Sequence, residues 1–375
     1  MLNDPGSDFL SRERRIMLPI VSEGPKVPEG PRPPIEFDKA NIKEAHAPAE
    51  LGDLRRRDRV RLMVLPRCDG DIVHTYFDRL GEFLRPGDLL VVNNSRTLPA
   101  LLHARDEHGN PLEVRLARRR SPDTWDALLL VGRKRVGQAG MKLEFAQGLA
   151  GRVLGPAENL PFLWEIQFEP CCMPLLDLIY RLGEPVRYSY VEEVYPIDLY
   201  QTVYASEPGS VEMPSAGRPF SWELLLTLQR KGIGFATITL HTSLSSSRDD
   251  ELDATHPVYA EEFRVPEETA RLVNQAHAQD GRVIAVGTTV VRALETAAQP
   301  DGSVLSTSAW TRLHIDAAYR LQVVDGLLTG LHEPRSSHLD LLSALVEPQR
   351  LQIAYQEAIR QGYLWHEFGD VNLIV

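Results

Sequence analysis

Polar residues that could do chemistry follow four short apolar runs of the sequence. Each run has the length and composition of a buried strand, and each ends directly in amide, hydroxyl, imidazole or guanidinium groups. In α/β sheets ligands bind beyond the carboxyl ends of the strands, so we expect the four clusters to line one crevice. The clusters are Asn93-Asn94-Ser95-Arg96, His241, Gly287-Thr288-Thr289, and Thr329 with His332.

The segment from Gly287 to Thr289 has the pattern of an anion-binding turn. A strand, a glycine, two hydroxyl residues and a helix follow one another, which would place free backbone N–H groups and a positive helix end at the strand terminus. In the following helix, Arg292 and Glu295 lie one turn apart, away from the apolar positions. The alternative is structural: a threonine caps the helix and the two charged residues form a solvent-exposed ion pair.

Three histidines, His241, His256 and His332, are candidates for acid–base chemistry, although a single histidine at a strand end is more often a structural hydrogen-bonding group. The sequence contains no H-E-x-x-H motif, phosphate-binding glycine loop, G-x-G-x-x-G fingerprint or G-x-S-x-G elbow. Its three cysteines show neither zinc-ligand nor disulfide spacing. We therefore expect no metal and no redox cofactor, and a reducing cytoplasmic location.

The composition limits the partners that this chain can bind. Of its 375 residues 43% are apolar, enough for the cores of two or three domains, and no run of about 18 apolar residues predicts a membrane span. The net charge of -11 argues against binding nucleic acid through bulk charge, so any RNA contact needs a local basic patch. Three arginine-rich segments could form that patch or a solvated face: Arg55-Arg56-Arg57 with Arg59 and Arg61, Arg115 with Arg118-Arg119-Arg120, and Arg133-Lys134-Arg135.

The elements that must position these residues predict an α/β protein. Residues 23–34 contain five prolines, so we expect 1–34 to be a mobile N-terminal arm. Residues 100–168 show many short β-like pieces separated by turn residues, typical of a small all-β, barrel-like domain. We expect this domain to be inserted into a larger mixed α/β domain of 35–99 and 169–375.

The periodicity of the larger domain predicts individual helices and strands. Apolar residues recur at helical spacing in five segments and form short apolar runs in four others. The predicted helices are 223–231, 267–279, 290–298, 339–346 and 349–361, and the predicted strands include 62–65, 89–92, 235–240 and 283–286.

Four strings of residues, in this order, closely resemble those of the S-adenosylmethionine:tRNA ribosyltransferase-isomerase family. The similarity extends from about Phe37 to the C-terminus. The resemblance implies that S-adenosylmethionine is a co-substrate whose ribosyl unit passes to 7-aminomethyl-7-deazaguanine in tRNA, giving epoxyqueuosine with release of adenine and methionine. The strings are Arg57-Asp58 with Arg61 to Leu65, Leu84 to Asn93, Tyr200 to Ala205, and Ala285 to Thr289 with Arg292 and Glu295.

On this basis we expect particular roles for the polar residues. His332 or His256 would transfer a proton, Arg96 and Arg292 would bind the donor carboxylate or a phosphate, and Glu295 would orient one of these arginines. A sulfonium acidifies the carbon beside it, so a base can form an ylide there and no metal is needed. The remaining expected substrate-binding residues are Asn93, Ser215, Gly217, His241, Glu261, Thr288 and Thr289.

The chain departs from the family pattern within the expected site. Asn94 replaces an aspartate of the family, Pro219 replaces a histidine, and Thr242 to Ser247 replaces a glycine-rich segment. These changes leave two alternatives open. The first is the same donor chemistry on an acceptor other than tRNA, and the second is a non-catalytic paralogue that binds a nucleoside or RNA.

Overall fold

A computed structural model describes residues 35–52, 55–158, 160–188, 190–244, 260–334 and 336–375. The expected N-terminal arm (1–34) and His256 lie outside these residues. The helices in the described part are α1 Leu175–Leu182, α2 Trp222–Arg230, α3 Glu267–Ala278, α4 Thr288–Ala297, α5 Ser337–Leu342 and α6 Pro348–Arg360. None of them has the length and apolar content needed to cross a membrane.

The strands form two large sheets and two small ones. In chain order they are β1 Lys43–Glu44, β2 Arg61–Leu65, β3 Val73–Tyr76, β4 Leu89–Asn93, β5 Ser95–Thr97, β6 Leu101–Arg105, β7 Pro111–Arg119, β8 Thr124–Val131, β9 Lys134–Arg135, β10 Lys142–Phe145, β11 Ala150–Ala157, β12 Leu160–Phe168, β13 Glu207–Ser210, β14 Gly234–Leu240, β15 Glu261–Val265, β16 Val283–Val286, β17 Thr307–Thr311, β18 Gly326–Gly330, β19 Leu364–Trp365 and β20 Val371–Ile374.

A nine-stranded mixed sheet, in the order β17-β15-β14-β4-β16-β18-β20-β2-β3, forms the larger part of the molecule. Its four central strands, β14, β4, β16 and β18, are mutually parallel. Every residue of β4 and β16 is buried, because helices cover both faces of the sheet. Helices α3, α4 and α6 pack on one face and α2 packs on the other.

The smaller part is a closed barrel built from residues 101–168. Strands β12-β11-β10-β6-β7-β8 pair antiparallel in this order, and β12 also pairs with β8, which closes a six-stranded ring. Strand β9 extends the hairpin that begins with β8. Apolar side chains from all six strands and from α1 fill the interior. The predicted fold class, a mixed α/β domain with an inserted barrel-like part, is confirmed.

Buried polar side chains connect segments that are distant in the sequence. The Asp88 carboxylate binds the Arg282 guanidinium, 2.6 Å from its Nη2. The Gln201 amide exchanges two hydrogen bonds with the backbone of Thr97, at 3.0 and 2.8 Å. Because β5 and β13 pair beside this contact, the chain enters the barrel at a fixed position relative to the large sheet.

Candidate active site

The four predicted polar clusters lie at one edge of the large sheet. They follow β14, β4, β16 and β18, which are parallel and adjacent, so their carboxyl ends point the same way. Neighbouring strands are about 4.8 Å apart, which places the end of β14 about 14 Å from the end of β18. The antiparallel pairing of β15 with β14 also brings Glu261 to this edge.

His241 follows β14 and is held by neighbouring polar groups. Ser95 Oγ lies 2.7 Å from its Nδ1. A methyl group added at Gly209 would lie 2.5 Å from Nδ1 and Cε1, so this glycine leaves the space that the ring occupies. Burial lowers the pKa of His241 to about 4, and the positive charge of Arg119, at the end of barrel strand β7, acts in the same direction. The imidazole is therefore neutral at pH 7.

The N-terminus of α4 lies at the same edge, because the helix begins two residues after β16 ends. Gly287 is the N-cap residue, with a φ of 98°, and none of the described side chains caps the helix with a hydrogen bond, so the threonine cap that the sequence offered as an alternative is not seen in this part of the chain. The turn Ser215–Gly217 lies beside it, because a methyl group on Gly287 would be 3.6 Å from the Cβ of Ala216. The predicted residues Thr288, Thr289, Ser215 and Gly217 are thus brought together.

Two histidines stack beyond the end of β18. The rings of His332 and His338 are 4.5 Å apart and 6° from parallel, and His332 Nε2 lies 2.8 Å from Thr329 Oγ1. Burial lowers the pKa of both rings, that of His338 to about 4 and that of His332 well below its usual value. His338 was not predicted, because it lies inside the short helix α5 and outside the strand-end pattern.

Arg292 extends from α4 and pairs with Glu261 at the start of β15. The two side chains are only 16% and 13% exposed. Arg292 Nε donates to the carbonyl of Leu313 at 3.2 Å, and its buried Nη2 has no hydrogen-bond partner among the described residues. A guanidinium with one unused donor is suited to an anionic ligand group.

The expected role of Glu295 needs correction. Its carboxylate accepts backbone hydrogen bonds from Gln322, Val323 and Val324 at 2.9 to 3.0 Å. It therefore fixes the segment before β18, and it does not contact Arg292, which Glu261 binds instead. The ion pair between Arg292 and Glu295 that the helical spacing offered as an alternative is also absent.

Asn93 and Arg96 differ in how many hydrogen bonds their side chains make within the protein. The Asn93 amide bonds to the backbone of Leu240 in both directions, at 2.8 and 3.0 Å, and its oxygen also accepts from Ser95 N. Asn93 is buried, and its amide joins β4 to β14. The Arg96 guanidinium is partly exposed and makes no hydrogen bond or ion pair with the residues that the structure describes.

Comparisons with known proteins identify the family to which this chain belongs. The family model described as queuosine biosynthesis protein matches residues 36–374. The chain belongs to this queuosine biosynthesis family. Two relatives are named S-adenosylmethionine:tRNA ribosyltransferase-isomerase. The one from Symbiobacterium thermophilum is 40% identical over 328 residues, which are 85% of this chain and 94% of the relative. The one from Moorella thermoacetica is 40% identical over 325 residues, with the same shares.

A solved structure is also similar to this member of the queuosine biosynthesis family. It is the crystal structure of S-adenosylmethionine tRNA ribosyltransferase from Thermotoga maritima, which is 31% identical. The alignment covers 91% of this chain and 98% of that chain, with a TM-score of 0.49. The sequence-based recognition of the family is confirmed by the family model and the two relatives.

Within this queuosine biosynthesis protein, the departure at Asn94 and the side chain of Arg218, which precedes the departure at Pro219, have structural partners. Asn94 Oδ1 accepts from the Thr239 hydroxyl at 2.7 Å, and its Nδ2 donates to Ser206. Arg218 is 1% exposed and binds the Glu50 carboxylate at 2.7 Å. Both side chains therefore contribute to packing between segments.

Among the described residues no group of three or more histidine, cysteine or acidic side chains could hold a metal ion.

The arginine-rich segments differ in their contacts. Arg118 and Arg120 both bind the buried carboxylate of Asp126, so they stabilise the barrel. Arg133 and Lys134, at the turn between β8 and β9, are exposed. The ion pairs of the first segment are Arg56 with Asp58, Arg57 with Glu50, and Arg59 with Asp78.

Proposed function

We propose that this protein transfers the ribosyl moiety of S-adenosylmethionine to 7-aminomethyl-7-deazaguanine in tRNA and isomerises it, giving epoxyqueuosine. Adenine and methionine leave during the reaction. The observation that carries the proposal is 40% identity, over 85% of the chain, to relatives named for this activity. The polar clusters at one sheet edge supply a place for the reaction. A tRNA substrate also implies a cytoplasmic location.

The histidines at this edge have protonation states that suit the cationic sulfonium of S-adenosylmethionine. His241, His332 and His338 are all neutral at pH 7, because burial lowers the pKa of each ring. Neutral rings do not repel a sulfonium, whereas imidazolium groups at this edge would. Arg292 and the N-terminus of α4 offer positive potential for the methionine carboxylate. The donor therefore extends along the edge, with its carboxylate toward Arg292.

His332 is the residue we propose for proton transfer, as an acceptor. A ring with a strongly lowered pKa has no imidazolium proton to donate at pH 7, so it is not a general acid in the resting protein. His256 remains a second candidate for this step, on the sequence pattern alone.

For the tRNA we propose contact with the exposed turn of the barrel. Arg133 and Lys134 follow the last residue of β8. Arg119 pairs with the beginning of the same strand and lies near His241. A phosphate backbone that crossed the barrel could therefore reach from the turn to the reaction edge. Charge reversal at both positions should weaken tRNA binding about equally for all tRNA sequences and reduce its dependence on salt.

Adenine release tests the function directly. The purified protein is incubated with S-adenosylmethionine and tRNA that carries the precursor base, and free adenine and modified tRNA are quantified by chromatography. We expect adenine release only when that tRNA is present. If adenine is released without tRNA but only when another amine is present, the acceptor is that amine and the proposed tRNA acceptor is wrong. Tight donor binding without adenine release under either condition would refute the enzymatic activity.

A further inference from the structure

His241 ends a chain of hydrogen bonds that begins inside the protein. Thr242 N donates to Ser210 Oγ at 3.0 Å, Ser210 Oγ lies 2.6 Å from Ser95 Oγ, and Ser95 Oγ lies 2.7 Å from His241 Nδ1. The two serines are 0% and 1% exposed, so water does not compete for their hydroxyls. The chain joins β13, β5 and the end of β14.

The direction of the protons in this chain follows from counting donors. The backbone N–H of Thr242 can only donate, so Ser210 accepts from it. The Ser210 proton then has one acceptor among the described residues, Ser95 Oγ, and the Ser95 proton is left for His241 Nδ1. The reverse direction would leave the buried Ser210 proton without an acceptor among the described residues, which is unfavourable because a buried donor then loses its hydrogen bond. Ser95 therefore donates to Nδ1.

We propose that Ser95, oriented by Ser210, is a positioning residue that holds His241 in the tautomer with its proton on Nε2. This inference rests on the proposed function, since it assigns a task to His241 in the reaction. Nε2 has no hydrogen-bond partner among the described residues, and Gly209 packs against the ring. His241 then presents its Nε2–H group to the bound nucleoside as a hydrogen-bond donor. Its one lone pair, on Nδ1, accepts the hydrogen bond from Ser95, so the ring cannot act as a base toward the nucleoside.

A neutral N–H donor suits the chemistry of a sulfonium nucleoside. It can donate to a ribose oxygen or to a ring nitrogen of the departing adenine, and it adds no positive charge beside the sulfonium. Among the described residues, the charged side chain that acts on the His241 ring from another element is Arg119, whose charge further disfavours protonation of the ring. Ser95 thus determines whether His241 is a donor or a base.

Nitrogen-15 NMR of the full chain, labelled in histidine, reports the tautomer without substrate. The His241 signals are identified by their loss in His241→Gln. We expect the wild-type proton on Nε2, and in Ser95→Ala a mixture of tautomers. Ser95→Thr, which keeps the hydroxyl, should restore the wild-type spectrum. A wild-type proton on Nδ1, or a Ser95→Ala spectrum equal to wild type, would overturn the proposal; if Ser95→Ala does not fold, the wild-type spectrum alone decides.

Kinetics give a second readout. Loss of the Ser95 hydrogen bond should lower kcat for adenine release about tenfold, with little change in KM, and raise the acidic limb of the pH profile by about one unit. Ser95→Thr should recover both. An unshifted acidic limb in Ser95→Ala would contradict the positioning role. If the wild type releases no adenine, the proposed function fails, whereas the NMR test of the tautomer still stands.

Discussion

The stacked histidine at the start of α5 makes folding stability depend on pH in a defined direction. Burial lowers the pKa of His338 to about 4 in the folded protein, from its ordinary value of 6.5. Between these values the unfolded chain binds a proton that the folded protein excludes. The stability that this ring contributes is therefore complete above pH 6.5 and is lost progressively as the pH falls toward 4.

The variant His338→Gln removes this titration. At pH 5 the medium is about 1.5 units below the pKa of the unfolded residue, and each unit corresponds to about 1.4 kcal/mol. The free energy of unfolding of the wild type should thus fall by about 2 kcal/mol more than that of His338→Gln between pH 7 and pH 5. Comparing this difference across pH cancels the constant cost of losing the ring stack.

Urea unfolding followed by tryptophan fluorescence, at both pH values, measures the difference. His108→Gln is the matched control, because His108 is exposed to solvent in the folded protein, and it should behave as the wild type does. If the wild type and His338→Gln lose equal stability between pH 7 and pH 5, His338 is not held neutral. The neutral edge proposed for a sulfonium would then lose its support.

Three further substitutions test the active-site geometry. His332→Ala should reduce adenine release by about 100-fold or more, measured in single-turnover assays, because it removes the proposed proton acceptor. Gly209→Ala should reduce turnover by about 100-fold, since its methyl group would lie 2.5 Å from the His241 ring and displace it. Glu261→Gln should lower the free energy of unfolding by about 3 kcal/mol, measured with urea, because it leaves Arg292 buried without its carboxylate.

Two control variants are compared with the glycine and glutamate substitutions. Gly155→Ala adds a methyl group that meets no atom within 4 Å, so it should leave turnover unchanged. Glu268→Gln removes a carboxylate from an exposed pair with Arg271 and should lower the free energy of unfolding far less than Glu261→Gln does. Turnover of Gly209→Ala equal to that of Gly155→Ala, or equal losses of stability for the two glutamate variants, would refute the assigned contacts. Near-normal turnover of His332→Ala would remove it from proton transfer.

Much of the secondary structure could be predicted from local patterns. The predicted strand 283–286 is β16 with the same bounds, and the predicted helix 267–279 differs from α3 by one residue. The helix predicted at 290–298 begins two residues earlier in the structure, because Gly287 at positive φ lets the chain turn directly into Thr288. Apolar spacing and turn residues are short-range signals, so a single sequence contains them.

The partners of the polar residues could not be predicted in the same way. Helical spacing offered Glu295 as the partner of Arg292, whereas the antiparallel pairing of β15 with β14 brings in Glu261 from 31 residues away. The amide of Asn93, an expected substrate-binding residue, joins β4 to β14 through the backbone of Leu240, 147 residues away. These contacts depend on strand order and register, which no local pattern contains.

The sequence alone determined the family, the mixed α/β class with its barrel, and the four strand ends that carry polar residues. Tertiary structure decided that those ends are adjacent and parallel, that His338 stacks on His332, and that two enclosed serines lead to His241. The physical reason is the distance along the chain over which each kind of interaction acts. Propensity and periodicity act over a few residues, whereas a site forms where the packing of a whole sheet brings distant segments within hydrogen-bond distance.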